Sequence, residues 1–158
     1  MSDAAPHRFG DLRALSRFAF QTDNASTFPV SGTGRPGLEA AIISLVEPGD
    51  RVVVGECGRF GLLLIEIAER CGADVVIVHE EWGQPRQEIA RLAREHDTLP
   101  LADVVVTLGG CEVAVDRWGV DVAVAGTQKC LSCPSGLAPI TTPAGVDDSL
   151  GASGIGRI

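Results

Sequence analysis

Positive charge is in short supply in this sequence: 13 lysines and arginines face 21 aspartates and glutamates, a formal net charge of −8. So acidic a chain offers no broad surface to a phosphate backbone, which excludes nucleic acid as a natural partner but leaves room for a local pocket holding one small anion. Long apolar runs are missing too. No stretch is apolar for the roughly 18 residues that a membrane span needs, and the opening Met1 to Asp11 has neither the apolar core nor the cleavage pattern of a leader. The expectation is a cytoplasmic chain with no membrane partner. A disulfide framework is also absent. The 5 cysteines (Cys57, Cys71, Cys111, Cys130, Cys133) are odd in number and irregularly spaced, which points to reduced thiols. Cys130-Leu131-Ser132-Cys133 matches C-x-x-C, yet no second Cys/His pair stands at finger spacing and Pro134 opposes the helix that follows a redox pair, so no metal is expected.

What is present suits a packed domain. Hydrophobic residues make up 45%, with 19 glycines and only 4% aromatics, a composition for Val/Ala/Leu strands and helices joined by tight turns. A length of 158 residues allows one domain or a fragment of one. The pattern predicts a helix over 9–21 with Leu12, Leu15, Phe18 and Ala19 at helical spacing, an extended piece at 28–31, and an apolar helix at 38–46 closed by Glu47-Pro48-Gly49-Asp50. Strands follow at 51–56 and 74–79 around a helix at 60–70, then a polar helix at 86–96 and strands at 101–106, 120–125 and 137–141. Residues 144–158 show no periodicity and read as an unstructured tail. Strands that are apolar throughout and alternate with helices predict an α/β fold: a mostly parallel sheet with helices on both faces.

Among the basic residues only Lys129 is a lysine. A surface cation can be either lysine or arginine, so a composition this skewed keeps lysine mainly where arginine fails. A guanidinium stays protonated, whereas a crowded or desolvated ammonium loses its proton and can form a Schiff base with a carbonyl. Lys129 stands just past the apolar run Val122-Ala123-Val124-Ala125, which breaks at Gly126.

Three further features carry chemistry. Gly32-Thr33-Gly34-Arg35-Pro36-Gly37 lies between an extended segment and a helix, where exposed amides and close backbone approach suit a phosphate. The same residues satisfy the dinucleotide fingerprint G-x-G-x-x-G, with Glu56 placed 19 positions after Gly37 as a candidate ribose acid, so a nicotinamide-dinucleotide (Rossmann-like) domain stands as the alternative. Asp103 sits among Leu101, Ala102, Val104, Val105 and Val106 and needs a cationic partner there, because an unpaired buried carboxylate costs several kcal/mol. Phe60, at a helix start, either stacks on a flat heterocycle or fills the core, and His79 and His96 read as ordinary polar termini.

Six stretches carry a family resemblance: Thr27 to Gly34 (TFPVSGTG), Gly37 to Ala41 (GLEAA), Glu47 to Asp50 (EPGD), Gly58 to Gly61 (GRFG), Val105 to Gly110 (VVTLGG) and Trp118 to Leu131 (WGVDVAVAGTQKCL). Each is weak alone. In this order they resemble the class V branch of the fold type I pyridoxal phosphate enzymes, and the serine–glyoxylate and alanine–glyoxylate aminotransferases above all. The resemblance implies that Lys129 is the Schiff-base lysine, that Asp103 pairs with the pyridine nitrogen of pyridoxal 5'-phosphate and that Val105 packs on the ring. It places Thr33, Gly34 and Arg35 in the phosphate loop, Gln128 at the phosphate and Phe60 against the ring. The implied reaction moves an amino group from a small amino acid (serine or alanine) to a 2-oxo acid, glyoxylate, in a homodimer. The pattern also departs from the family. Between Trp82-Gly83 and the helix at Arg86, where the family inserts a helix and a central strand, stand only Gln84 and Pro85. The small C-terminal domain that carries a carboxylate-binding arginine does not follow. Residues 1–143 are therefore expected to form a partial large domain, shortened near 84–86, with catalysis impaired; a non-catalytic remnant is the remaining reading.

Overall fold

The computed structural model describes residues 4–56, 58–79, 93, 96 and 98–144. In chain order the elements are α1 (Ala4–Phe20), β1 (Ser26–Ser31), α2 (Gly34–Leu45), β2 (Arg51–Glu56), α3 (Arg59–Arg70), β3 (Asp74–His79), β4 (Leu101–Asp103), α4 (Val115–Trp118), β5 (Val122–Val124) and β6 (Leu137–Thr142). They fall into two compact units, one of the described residues within 1–37 and 87–144 and one of those within 38–86.

The first unit is built on a 4-stranded sheet in the order β1-β6-β5-β4. β4 and β5 are parallel, as the alternating pattern predicts, whereas β6 runs antiparallel to both β5 and β1. The α/β class stands, with a mixed sheet. Its cause is the link from β5 to β6, which contains no helix: without a crossover element the chain returns antiparallel. β1 and β6 pair along their whole length, from Ser26 opposite Thr142 to Ser31 opposite Leu137. Buried in this ladder, the Thr27 and Thr141 hydroxyls bond each other at 2.8 Å, so neither is orphaned by its position.

A core of Phe20, Val104, Leu108, Val113, Val115, Ala123 and Ala125 holds the unit together. α1 contributes differently from what its pattern predicts. The helix forms, but Leu15 and Phe18 are 65% and 82% exposed while Phe20, just beyond the predicted stripe, is fully buried. Gln21 ends the helix in the left-handed conformation (φ 51°), with the Thr22 amide bonded back to the Arg17 carbonyl at 3.1 Å. α4 then clamps this end: its Asp116 accepts from the Thr22 hydroxyl at 2.5 Å and from the Asp23 amide at 2.9 Å. A helix of 4 residues is too short to show a period, so the sequence offered no sign of α4.

The second unit pairs β2 and β3 in parallel, from Arg51 opposite Asp74 to Glu56 opposite His79, with α3 packed on both. α3 is strongly amphipathic and buries Ile65, Ile67 and Ala68. It stops at Cys71, and Gly72 (φ 85°) turns the chain toward β3 with Pro48 lying 3.1 Å from where a Cβ would stand. β2 and β3 keep their predicted bounds. The predicted helix at 86–96, the junction at Gln84-Pro85 and the tail from 145 lie outside the described residues.

Candidate active site

In an open α/β sheet, chemistry collects beyond the carboxyl ends of the parallel strands. In the first unit those ends are Asp103 on β4 and Val124 on β5, which stand opposite each other. β4 ends three residues earlier than predicted because Asp103 stops it. Its carboxylate oxygen Oδ1 accepts the Val105 amide at 3.0 Å, and the chain turns at 105–107 instead of continuing as strand. The half-buried carboxylate is thereby held at the strand end, and Val105 is thrown forward beside it.

Two segments converge on Val105. Gly34, the first residue of α2, is so close that a Cβ there would lie 2.7 Å from both Val105 methyls. Gly126, beyond the end of β5, would place a Cβ 3.1 Å from Val105 Cγ1, 3.1 Å from Gln128 Oε1 and 3.6 Å from Gly34 Cα. Gly34, Val105, Gly126 and Gln128 thus form one cradle, in which a Cβ would clash at Gly34 and be tight at Gly126. Sequence reasoning had found Gly34, Val105 and Gln128 but gave Gly126 no role beyond breaking a strand.

The cradle carries donors suited to an anion. As first-turn residues of α2, Gly34 and Arg35 have amides with no intrahelical acceptor, at the positive end of the helix. Pro36 lacks a donor to waste, and the Gly37 amide is already taken by the Thr33 carbonyl at 3.1 Å. Arg35 is exposed and Thr33 half-buried beside them. Gln128 Oε1 is buried without a hydrogen-bond partner, a state that costs about 1–3 kcal/mol. Half a turn of its terminal amide puts two N–H donors in the same place, so the site fits a group that presents phosphate oxygens there.

Lys129 follows on the turn after β5, exposed, and among the described residues its ammonium has no hydrogen-bond or ion-pair partner. Phe60 lies in the second unit, on the first turn of α3, 61% exposed. Glu56 also belongs there. Its carboxylate takes the Gly58 amide at 2.5 Å and His79 Nδ1 at 2.9 Å. The Gly58 N–H first, then His79, holds the Glu56 carboxyl below the ordinary 4.5. Both contacts tie the turn before α3 to the end of β3. Cys130 and Cys133 point to different carbonyls, those of Val106 and Leu131, and no group of three or more metal-ligating side chains occurs among the described residues.

A model of aminotransferase class V matches residues 82–150, the stretch that contains Asp103, Val105, Gln128 and Lys129. The (S)-ureidoglycine–glyoxylate transaminase of Bacillus subtilis is 41% identical over 170 aligned positions, which cover 87% of this chain and 41% of that protein. The chain belongs to the class V aminotransferase family. The alanine–glyoxylate aminotransferase of Drosophila melanogaster is 34% identical over 79% of the chain and 40% of its own length. Among solved structures, ureidoglycine–glyoxylate aminotransferase from Bacillus subtilis superposes with a TM-score of 0.86 at 38% identity, covering 95% of this chain and 48% of that one. Alanine–glyoxylate aminotransferase from Nostoc sp. gives 0.87 at 33% identity, covering 96% and 49%. This class V chain therefore has the fold type I architecture and spans less than half the length of the relatives it matches.

The Rossmann alternative for Gly32 to Gly37 is overturned. A dinucleotide site needs the strand before the glycine loop and the strand after its helix to lie in one parallel sheet. Here β1 pairs antiparallel with β6, while β2 belongs to a different sheet with β3, and Glu56 is engaged by Gly58 and His79.

Proposed function

We propose that this class V chain binds pyridoxal 5'-phosphate in the cradle of its first unit and is the cofactor-holding part of an aminotransferase for a small amino acid donor, serine or alanine, and glyoxylate. The observation that carries this is the meeting of Gly34, Val105, Gly126 and Gln128, whose buried Oε1 is unmatched, beside the strand ends that bear Asp103 and lead to Lys129. Glyoxylate appears in the names of both relatives described, which supports it as the acceptor.

When bound, the cofactor supplies an electron sink for the bonds at an amino acid's α-carbon. The protein's part follows from its side chains. Thr33, the Gly34 and Arg35 amides and Gln128 would hold the phosphate, and Val105 would support the ring. Asp103 would keep a proton on the ring nitrogen through its negative charge. The Lys129 amine would hold the cofactor's aldehyde and, when the substrate amine takes its place there, would be the free base that accepts the substrate α-proton at Nζ. For Phe60 the stacking role is what the resemblance implies, and a homodimer is the proposed assembly.

We further propose that the chain is shortened internally near 84–86. The stretch aligned with the Bacillus subtilis transaminase, 170 positions, is longer than this chain of 158 residues, so that relative carries residues inside the matched span with no counterpart here. No helix among the described residues is long and apolar enough to cross a membrane.

The test is a titration with pyridoxal 5'-phosphate followed by absorbance. A visible band that is lost in Lys129→Ala, and that alanine or serine bleaches while glyoxylate restores it, is the expected result. A band indifferent to Lys129→Ala defeats the cofactor reading, while a Lys129-dependent band indifferent to amino acids leaves a binding remnant without turnover.

A further inference from the structure

Lys129 projects from a loop, and the long aliphatic stem of lysine has many rotamers. A reactive amine on such a stem is useful only if the backbone beneath it is fixed. In this chain the fixing group is two residues away. Thr127 is only 9% exposed, and its hydroxyl Oγ1 lies 2.7 Å from the Pro134 carbonyl and 3.1 Å from the Leu137 carbonyl. One hydroxyl proton is shared between two acceptors, so a single side chain draws both ends of the loop together.

The surrounding backbone bonds show the same closure. The Thr127 amide donates to Leu137 O at 3.2 Å, the Cys133 amide to Thr127 O at 3.0 Å and the Ser132 amide to Lys129 O at 2.9 Å. Ser132 is held at φ 55°, a left-handed conformation that a non-glycine residue keeps only when its surroundings impose it. The Pro134 carbonyl, on a residue with no N–H to give, depends on Thr127 for its side-chain donor. Lys129 therefore rides on a small closed loop whose neck is the Thr127 hydroxyl.

We propose that Thr127 is a positioning residue for Lys129: its hydroxyl fixes the loop from which the amine reaches the cofactor. The proposal rests on the reading of Lys129 as the cofactor-holding amine, and its test separates the two. Because Lys129 is the chain's only lysine, any ε-amine label reports on it alone. The full chain is compared with Thr127→Val, which keeps the shape and removes the donor, and with Thr127→Ser, which keeps the donor.

Amide hydrogen exchange at Ser132 and Cys133 should quicken about tenfold or more in Thr127→Val, the loss expected for a buried hydrogen bond. The pyridoxal 5'-phosphate concentration that half-labels Lys129 after borohydride should rise by about the same factor, while acetic anhydride labels the amine at an unchanged rate, because its exposure has not altered. Thr127→Ser should restore both. Unchanged exchange and labelling in Thr127→Val, or Thr127→Ser behaving like Thr127→Val, overturns the proposal. A wild-type chain that takes no pyridoxal label defeats the cofactor reading instead, and the exchange data still decide the role of Thr127. If Thr127→Val does not fold, exchange of Ser132 and Cys133 at free-peptide rates in the wild-type chain overturns the proposal, and protection retained in Thr127→Ser supports it.

Discussion

Substituting Gly34 by alanine places one methyl group at the centre of the cradle, and the structure says what that methyl meets. Its carbon would lie 2.7 Å from both Val105 methyls, where carbon pairs are at ease only at about 3.5–4.0 Å, so one side must retreat by about 1 Å. Overpacking of this kind costs about 1–3 kcal/mol. Alanine also favours a helix over glycine by up to about 1 kcal/mol, less at a first turn, which leaves a net loss of about 1–2 kcal/mol. Trimming the obstacle has a cost of its own: Val105→Ala alone removes two methyls worth about 1.6 kcal/mol if fully buried, less here because Val105 is partly exposed. In the double variant the new methyl occupies the vacated space, and the losses should fall short of additivity by about 1 kcal/mol or more. Urea denaturation of the four proteins in this cycle measures the coupling. Additivity within about 0.5 kcal/mol, or a Gly34→Ala chain as stable as wild type, would refute the close approach of α2 to the turn after β4.

Three other outcomes follow from the same structure. Phe20→Ala should cost about 3–5 kcal/mol in urea denaturation, since the ring is fully buried beneath the sheet, whereas Phe18→Ala should be near neutral; equal effects would mean that α1 presents the wrong face. The Glu56 carboxyl, lowered by the Gly58 amide and by His79, favours the folded state above about pH 4.5 and loses that contribution as pH falls through its depressed value. Glu56→Gln should flatten the acid limb of the stability profile, and an unchanged limb would show that the pair contributes nothing. Asp116→Ala should speed hydrogen exchange at the Asp23 amide about tenfold, because that N–H loses its acceptor; unchanged protection would mean another group holds this corner.

The parts of the fold that were legible in the sequence are those set by local pattern. β2 and β3 are continuous apolar runs closed by charged residues and glycine turns, so their bounds could be read directly. Where a side chain acts on its own backbone, the pattern misleads: Asp103 sits in an apolar run, but its carboxylate captures the Val105 amide and ends β4. α1 shows the limit of periodicity, because Leu12, Leu15 and Phe18 mark an apolar stripe while the packing of Phe20 with Val104, Leu108 and Ala123 decides which face is buried. The site was legible as residue types in a familiar order, and residues 33, 34, 35, 103, 105, 128 and 129 all belong to the first unit. Its contacts were not. The approach of Gly34 and Gly126 to Val105 joins residues far apart in sequence, and the Thr127 clasp depends on where the chain returns into β6.

The central claim is that the cradle and Lys129 hold one cofactor. Peptide mass mapping after pyridoxal 5'-phosphate and borohydride treatment tests it most directly, run in parallel on the wild-type chain and on Gly34→Val. The account predicts a single phosphopyridoxyl group on Lys129 in the wild type, saturating with concentration and competed by inorganic phosphate, and no saturable label in Gly34→Val. A label that never saturates, or that Gly34→Val takes up equally well, would show an exposed amine reacting without a site and would contradict it.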